Sequence, residues 1–286
     1  MRTVDEMMEL ILNKAREDER IRAVTMEGSR ANPNAVHDEY SDFDICYFVK
    51  DVREFTNDKT WIDYFGERLI LQCPCDWHDE PYDYNGRERY TYLIQFADGN
   101  RIDLSLIDIT TIKEELENDE PRLILLNKDG YEELQPITNE ETFETGVPTE
   151  REYMDICNEF RWVSLYVTKG LCRDEFYYAR YHYESIAEEF LKMLNLKIAA
   201  DHDFKSVTGN HYKYLKRYLS EEEIIRVQRV FPSGEYDDMW EKLFDLCDYF
   251  EEIAENLGKK MGYEYDAEEG KRVREFIRVR YEDNRN

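Results

Sequence analysis

The N-terminal half of the chain alternates between strand-like and helix-like patterns of hydrophobic positions. Met7, Leu10 and Ile11 recur at helical spacing and predict an amphipathic helix over residues 3–18. Short apolar or alternating runs predict strands at residues 21–27, 43–50, 68–72, 90–97, 101–108 and 122–127. Shorter helical segments are predicted at residues 29–36, 58–66 and 110–118, and a loop at residues 76–90.

The pattern changes at residues 144–149, where Gly146 and Pro148 mark a boundary. Beyond it, helical periodicity predicts helices at residues 149–170, 173–196, 211–218, 220–230, 236–257 and 266–281. Thr149 followed by Glu152 is typical of a capped helix start. We therefore expect an α+β fold, with a mixed sheet and helices in a domain over residues 1–147 and an α-helical domain over residues 148–286.

The turn after the first predicted strand and the start of the second carry the strongest candidate chemistry. Gly28 permits a tight turn, and the backbone N–H groups around Ser29 favour anions. Asp42 comes thirteen residues after Ser29, and Asp44 follows at the start of the next apolar run. Side chains alternate along a strand, so both carboxylates point the same way. This spacing suits a divalent cation and a polyphosphate held together.

A third carboxylate lies on a later strand, where Asp103 shares a face with Arg101, opposite Ile102. Three aspartates from two strands form the oxygen-rich set that Mg²⁺ prefers. Chance is the alternative, because the chain has 65 acidic residues among 286. The same Asp-x-Asp spacing recurs at Asp201 and Asp203 without a preceding Gly-Ser turn.

The elements Gly28-Ser29, Ser41-Asp42-Phe43-Asp44 and Asp103 together resemble the polymerase-beta-like nucleotidyltransferase superfamily. More narrowly, the chain resembles the aminoglycoside 6-adenylyltransferases, which modify streptomycin. The segments that carry this closer resemblance are residues 28–32, 101–107, 158–171 and 212–219. The resemblance covers nearly the whole chain.

The resemblance implies Mg²⁺-dependent transfer of AMP from ATP to a hydroxyl of a streptomycin-type aminoglycoside, with release of pyrophosphate and resistance to the antibiotic. Asp42 and Asp44 would hold Mg²⁺ against the phosphates. Asp103 would hold a second Mg²⁺ or take the proton of the hydroxyl. The residues expected to bind the nucleotide are Gly28, Ser29, Arg30, Ser41, Lys213 and Lys205.

Several of these assignments have open alternatives. Arg30 either reaches a phosphate or braces its loop, and Lys213 and Lys205 either neutralise phosphate or belong to a solvated helix face. A cationic acceptor should meet carboxylates and aromatic faces. The candidates are Asp76, Trp77, Tyr181 and Glu184, each of which has a structural role as its alternative.

The formal net charge of −27 and the pI near 4.6 restrict the classes of molecule that the protein is expected to bind. Nucleic acid would be repelled by this charge, whereas a polycationic small molecule such as an aminoglycoside would be attracted. Solubility alone is the other explanation of the acidity. We expect a monomer or a weak homo-oligomer.

The six cysteines predict free thiols, because we see no secretory signal and no stretch long enough to span a membrane. We therefore expect a cytoplasmic protein without membrane association. Cys73-Pro-Cys75 lacks the spacing and the partner pair of a zinc site.

Two other functions remain open at this point. The chain could be a nucleotidyltransferase for a different acceptor, either a protein or another small molecule. It could also be a catalytically silent member of the fold that acts as a binding module.

Overall fold

The computed structural model describes residues 1–33, 35–78, 89–116, 121–138 and 144–285. The chain divides into two compact units, Met1–Thr142 and Phe143–Asn286. Strands and short helices form the first unit, and helices dominate the described part of the second. The predicted α+β class is confirmed.

The first unit contains the six predicted strands, each within two residues of its expected bounds. They are β1 (Ile21–Glu27), β2 (Phe43–Val49), β3 (Arg68–Gln72), β4 (Arg89–Phe96), β5 (Arg101–Asp108) and β6 (Leu123–Asn127). The α-helices of this unit are α1 (Val4–Glu17), α2 (Gly28–Ala31), α3 (Arg53–Thr56) and α4 (Ile112–Glu115). Short 3-10 segments lie at Lys59–Phe65, Pro74–Asp76 and Ile109–Thr111.

The helical segments of this unit are shorter or tighter than expected. The segment predicted at 29–36 is a single turn, α2, and the one at 58–66 is 3-10 helix. The one at 110–118 begins as 3-10 helix and continues as α4, while its residues 117 and 118 lie outside the described part of the chain. Of the predicted loop 76–90, residues 79–88 also lie outside it.

The described strands form one mixed sheet in the order β3-β4-β5-β2-β1-β6. Strands β2 and β5 run parallel, and their neighbours pair antiparallel. A hairpin joins β4 to β5 through a turn in which the Phe96 N–H donates to the Asn100 carbonyl at 2.9 Å. The parallel pair matters most for the site, because it sets Asp44 directly opposite Asp103.

The two faces of the sheet carry different amounts of apolar cover. Phe43, Ile45 and Tyr47 belong to a large core that also includes Met7 and Ile11 of α1. The opposite face has a small cluster around Ala23, Cys46, Phe48 and Ile107. Because side chains alternate, the polar residues at one end of β1, β2 and β5 share this second, sparsely covered face.

The second unit is a helix bundle. Its helices are α5 (Glu150–Cys172), α6 (Phe176–Asp201), α7 (Glu221–Arg229), α8 (Tyr236–Met261) and α9 (Ala267–Arg285). The predicted capped start is confirmed: the Thr149 N–H donates to the Glu152 carboxylate at 2.7 Å, and the Glu152 N–H donates to Thr149 Oγ1 at 3.2 Å.

The predicted helix 211–218 is instead two 3-10 segments, Asn210–Tyr212 and Leu215–Tyr218. The reason is the backbone, since Gly209, His211 and Tyr212 all have positive φ angles of 72°, 50° and 59°. An α-helix cannot pass through consecutive left-handed residues.

A buried arginine ties three helices of the bundle together. Arg161 of α5 is 4% exposed and donates two hydrogen bonds to Glu251 of α8, at 2.9 and 2.7 Å. It donates a third to Glu269 of α9 at 3.0 Å. The charge is fully paired, as a buried guanidinium requires.

Among the helices in the described ranges, none combines the length and the apolar character needed to cross a membrane.

Candidate active site

A glycine with a left-handed backbone ends the first strand. Gly28 has φ of +64°, a conformation that favours glycine. A Cβ atom built on Gly28 would overlap the Asp44 carboxylate. Position 28 therefore requires glycine for two reasons: the positive φ angle of the backbone and the close approach of the Asp44 carboxylate to the turn.

Three carboxylates form a row across three neighbouring strands. Glu27 of β1 is the cross-strand partner of Asp44 of β2, and Asp44 is the partner of Asp103 of β5. Paired residues of adjacent strands present their side chains on the same face. Asp42 precedes β2 by one residue and shares the alternation of Asp44. The structure thus brings together the three aspartates predicted as catalytic.

The surroundings of Asp44 and Asp42 disfavour the ionised form of both carboxylates. Burial, reinforced by the charges of Asp103 and Asp42, raises the pKa of Asp44 from 3.8 to about 6. Burial also raises the pKa of Asp42, against the opposing effect of Arg101. Burial first, and the neighbouring carboxylates second, therefore disfavour the ionised form of Asp44.

Two arginines partly compensate this charge. Arg101 donates to both oxygens of Asp103, at 2.7 and 2.8 Å, and its Nε lies 3.5 Å from Asp42 Oδ2. Arg122, only 1% exposed, reaches Glu27 Oε1 at 3.1 Å. Of these contacts, the sequence indicated only that Arg101 shares a face with Asp103.

Arg30 braces the loop that leads into β2. Its Nε donates to the Asp42 carbonyl at 2.9 Å and its Nη2 to the Ser41 carbonyl at 2.6 Å. The guanidinium lies 4.0 Å from the centre of the Phe43 ring. These contacts match the bracing alternative and fix the backbone that carries Asp42.

The two serines of the predicted nucleotide site lie on either side of this loop. The Ser41 hydroxyl accepts from the Asp38 N–H at 3.0 Å and lies 3.1 Å from the Asp38 carboxylate. Ser29 is half-buried in α2, and its carbonyl oxygen lies 2.9 Å from His37 Nε2. Together with Gly28, they border the start of β2.

The donor set fits a hard divalent cation, although the protein alone does not enclose one. Within the described ranges, no three His, Cys, Asp or Glu side chains are arranged to hold a metal ion. Arg101 occupies both oxygens of Asp103. The donors that Asp42, Asp44 and Asp103 offer are nevertheless all carboxylate oxygens, the ligand type that Mg²⁺ prefers.

The two predicted acceptor residues of the first unit lie near other partners. Asp76 pairs with the Lys59 ammonium and accepts from the Tyr90 hydroxyl at 2.8 Å. Trp77 follows it and is 54% exposed. Asp76 therefore links its turn to the Lys59–Phe65 segment and to β4, while the Trp77 ring is accessible.

Four predicted residues belong to the helical unit. Lys213 and Lys205 are exposed, and the Lys213 ammonium lies 5.0 Å from the centre of the Tyr214 ring. Glu184 is ion-paired with Arg180, one helical turn earlier. Tyr181 is 71% exposed and packs edge-to-face on His182.

Sequence reasoning missed Glu27 and its buried partner Arg122. Glu27 was visible as an acidic residue that ends an apolar strand directly before the glycine, a position where strands disfavour charge. No local signal connected it to Arg122, which lies 95 residues further along the chain.

Comparison with known proteins identifies the chain. Residues 1–279 match the family model described as streptomycin adenylyltransferase. A curated aminoglycoside 6-adenylyltransferase of Campylobacter jejuni is 38% identical, over 93% of this chain and 91% of its own length. The corresponding protein of Bacillus subtilis (strain 168) is 37% identical, over 94% and 95%.

A crystal structure of an aminoglycoside 6-adenyltransferase from Bacillus subtilis is 32% identical to this chain. It covers 98% of this chain and 99% of its own, with a TM-score of 0.48.

The family model and the curated relatives make the protein a nucleotidyltransferase. More narrowly, the chain belongs to the streptomycin adenylyltransferase family. The family resemblance inferred from the sequence is thereby confirmed.

Replacing Gly28 with alanine should damage both folding and turnover. The left-handed backbone alone should cost about 1–2 kcal/mol of the free energy of unfolding. Displacement of Asp44 should add to this and lower turnover at least about tenfold. Chemical unfolding and nucleotidyl-transfer rates measure the two effects.

Gly130 offers a matched control, since its φ is +69° and nothing lies within 4 Å of a Cβ built there. Gly130→Ala should show the backbone cost and normal turnover. Equal turnover in the two variants would contradict a role for the approach of Gly28 to Asp44.

Proposed function

We propose that the protein transfers AMP from ATP to a hydroxyl of a streptomycin-type aminoglycoside in the cytoplasm, releasing pyrophosphate and conferring resistance. The observation that carries the proposal is the register of β2 against β5, which pairs Asp44 with Asp103 beside the Gly28 turn. The relatives named aminoglycoside 6-adenylyltransferases support the acceptor class.

Asp42 and Asp44 would hold Mg²⁺, with Asp103 as a further ligand or as the base for the acceptor hydroxyl. Bound there, Mg²⁺ would supply positive charge to the phosphates and lower the pKa of the attacking hydroxyl. Asp44, with its pKa raised to about 6, is still mostly ionised at neutral pH and so remains a ligand. Arg30 holds Asp42 in place by donating hydrogen bonds to the backbone carbonyls of residues 41 and 42.

Gly28, Ser29 and Ser41 would bind the triphosphate through backbone N–H groups and hydroxyls. Lys213 is the first candidate for an additional positive charge, and Lys205 the second. Support comes from the backbone before Lys213, where both His211 and Tyr212 have positive φ. Such outliers are costly for residues other than glycine and concentrate at functional sites.

For the acceptor, the net charge of −27 favours a polycation. The carboxylates of Asp76 and Glu184 already have cationic partners, whereas the rings of Trp77 and Tyr181 are exposed. Of the four candidates, we therefore favour the two aromatic rings, which can receive a cationic group on their faces.

Mass spectrometry of streptomycin after incubation with the protein, ATP and Mg²⁺ tests the proposal. We expect a mass increase of one adenylyl group and an equal amount of pyrophosphate. If streptomycin stays unmodified but pyrophosphate is released when another acceptor is present, the substrate is a different one. Binding of Mg²⁺-ATP without pyrophosphate release with any acceptor would establish a silent binding module.

A further inference from the structure

The Arg101 guanidinium lies among the carboxylates that the proposed function assigns to Mg²⁺. Its Nε and Nη2 donate to the two oxygens of Asp103 at 2.7 and 2.8 Å. The same Nε lies 3.5 Å from Asp42 Oδ2. One cationic side chain thus contacts two of the three aspartates.

This arrangement follows from the strand itself. Arg101 and Asp103 are two residues apart on β5 and therefore share a face. The parallel pairing of β5 with β2 brings the Asp42–Asp44 segment alongside them. The side chains of Arg101 and Asp103 are 39% and 22% exposed, so the pair is partly shielded from water.

Arginine and a divalent cation need the same atoms. A bidentate guanidinium takes up both carboxylate oxygens with short, charge-assisted hydrogen bonds. Mg²⁺ is also bound through carboxylate oxygens and requires near-octahedral geometry around them. A guanidinium that holds both oxygens of Asp103 leaves fewer of their lone pairs for a cation.

We propose that Arg101 is a positioning residue that competes with the divalent cation for Asp103 and Asp42. In the cation-free protein it offsets the charge of the cluster and holds the two carboxylates in place. Cation binding requires Arg101 to release Asp103. The inference rests on the proposed function, because it takes the aspartates as cation ligands.

A titration of the full chain with Mn²⁺, without nucleotide, tests the competition. Electron paramagnetic resonance measures the concentration of free Mn²⁺ at each point. Arg101→Gln removes the competing charge and should tighten Mn²⁺ binding about tenfold. Arg101→Lys keeps the charge but loses the two-pronged contact, so its affinity should rise about threefold. If the glutamine variant does not fold, the lysine variant carries the test.

Arg22 provides a matched control in the same unit. It forms a comparable two-pronged pair with Asp129, with Nε at 2.8 Å from Oδ2, and contacts none of the three aspartates in the described structure. Arg22→Gln should leave the Mn²⁺ affinity unchanged. It reports any general effect of removing a positive charge from so acidic a protein.

Equal or weaker Mn²⁺ binding by both Arg101 variants would overturn the competition. A rise of the same size in Arg22→Gln would overturn it as well, since overall charge would then explain the result. Failure of the proposed function looks different: streptomycin would remain unmodified whatever the Mn²⁺ affinities of the variants.

Discussion

Replacing Asp42 with asparagine is expected to lower the rate of AMP transfer about 10³-fold while the protein stays folded. The amide keeps the shape of the side chain but loses the charge that would bind Mg²⁺. The fold should tolerate the change, because the Asp42 carboxylate is partly exposed and burial already raises its pKa. Steady-state rates at saturating ATP and Mg²⁺, with circular dichroism for folding, make the measurement.

The second Asp-x-Asp of the chain supplies the control. Asp203 is exposed, and its φ of 54° is one that asparagine also adopts readily. Asp203→Asn should therefore transfer AMP at the normal rate. Near-normal Mg²⁺-dependent turnover in Asp42→Asn would show that Asp42 is not a metal ligand.

The two Asp-x-Asp pairs have the same spacing in the sequence but different electrostatic surroundings in the structure. Asp201 ends α6 and is ion-paired with Lys197 and Lys260, which lowers its pKa. Asp44 has the opposite environment, with two further aspartates around it and a raised pKa. The sequence context of a Gly-Ser turn and a strand distinguished the two pairs, because these features are local.

Strand positions were predictable because alternation and apolar runs depend on neighbouring residues. The pairing of Asp44 with Asp103 was not, since two strands 59 positions apart can meet in several orders and registers. The sequence indicated that Asp103 faces away from Ile102, and the sheet order then determined which residue it faces.

Charge compensation was the other feature beyond local reasoning. The contacts of Arg101 with Asp103 and Asp42 depend on distances across β2 and β5, whereas side-chain alternation predicts only which face Arg101 lies on.

The backbone at residues 211 and 212 was also not predictable. The apolar spacing around Tyr212 and Leu215 is typical of a helix. The positive φ of His211 and Tyr212 could not be read from residue type, because both residues normally avoid it.

The burial of Asp44 beside two other aspartates should lower the stability of the protein, and the pH dependence of unfolding measures this cost. Its pKa rises from 3.8 to about 6 on folding, mainly through burial and then through Asp103 and Asp42. Because the folded protein binds this proton more tightly than the unfolded chain, stability falls as pH rises through that interval. Above this pH interval, the ionised Asp44 destabilises the cation-free fold by about 3 kcal/mol.

Asp44→Asn should therefore raise the free energy of unfolding while abolishing catalysis. In buffer with a metal chelator we expect a gain of about 3 kcal/mol at pH 8 that shrinks as the pH falls towards 4. AMP transfer should drop about 10³-fold, because the variant lacks a ligand charge. Urea unfolding between pH 4.5 and pH 8, for the variant and the parent protein, measures the difference.

Addition of Mg²⁺ separates this account from a simple packing effect. The cation should stabilise the parent protein at pH 8 and so narrow its gap to Asp44→Asn, whose own stability should respond much less. Asp203→Asn, at an exposed position, should follow the parent under every condition. A stability gain in Asp44→Asn that is the same at pH 4.5 and pH 8 would mean that the Asp44 charge is not its source.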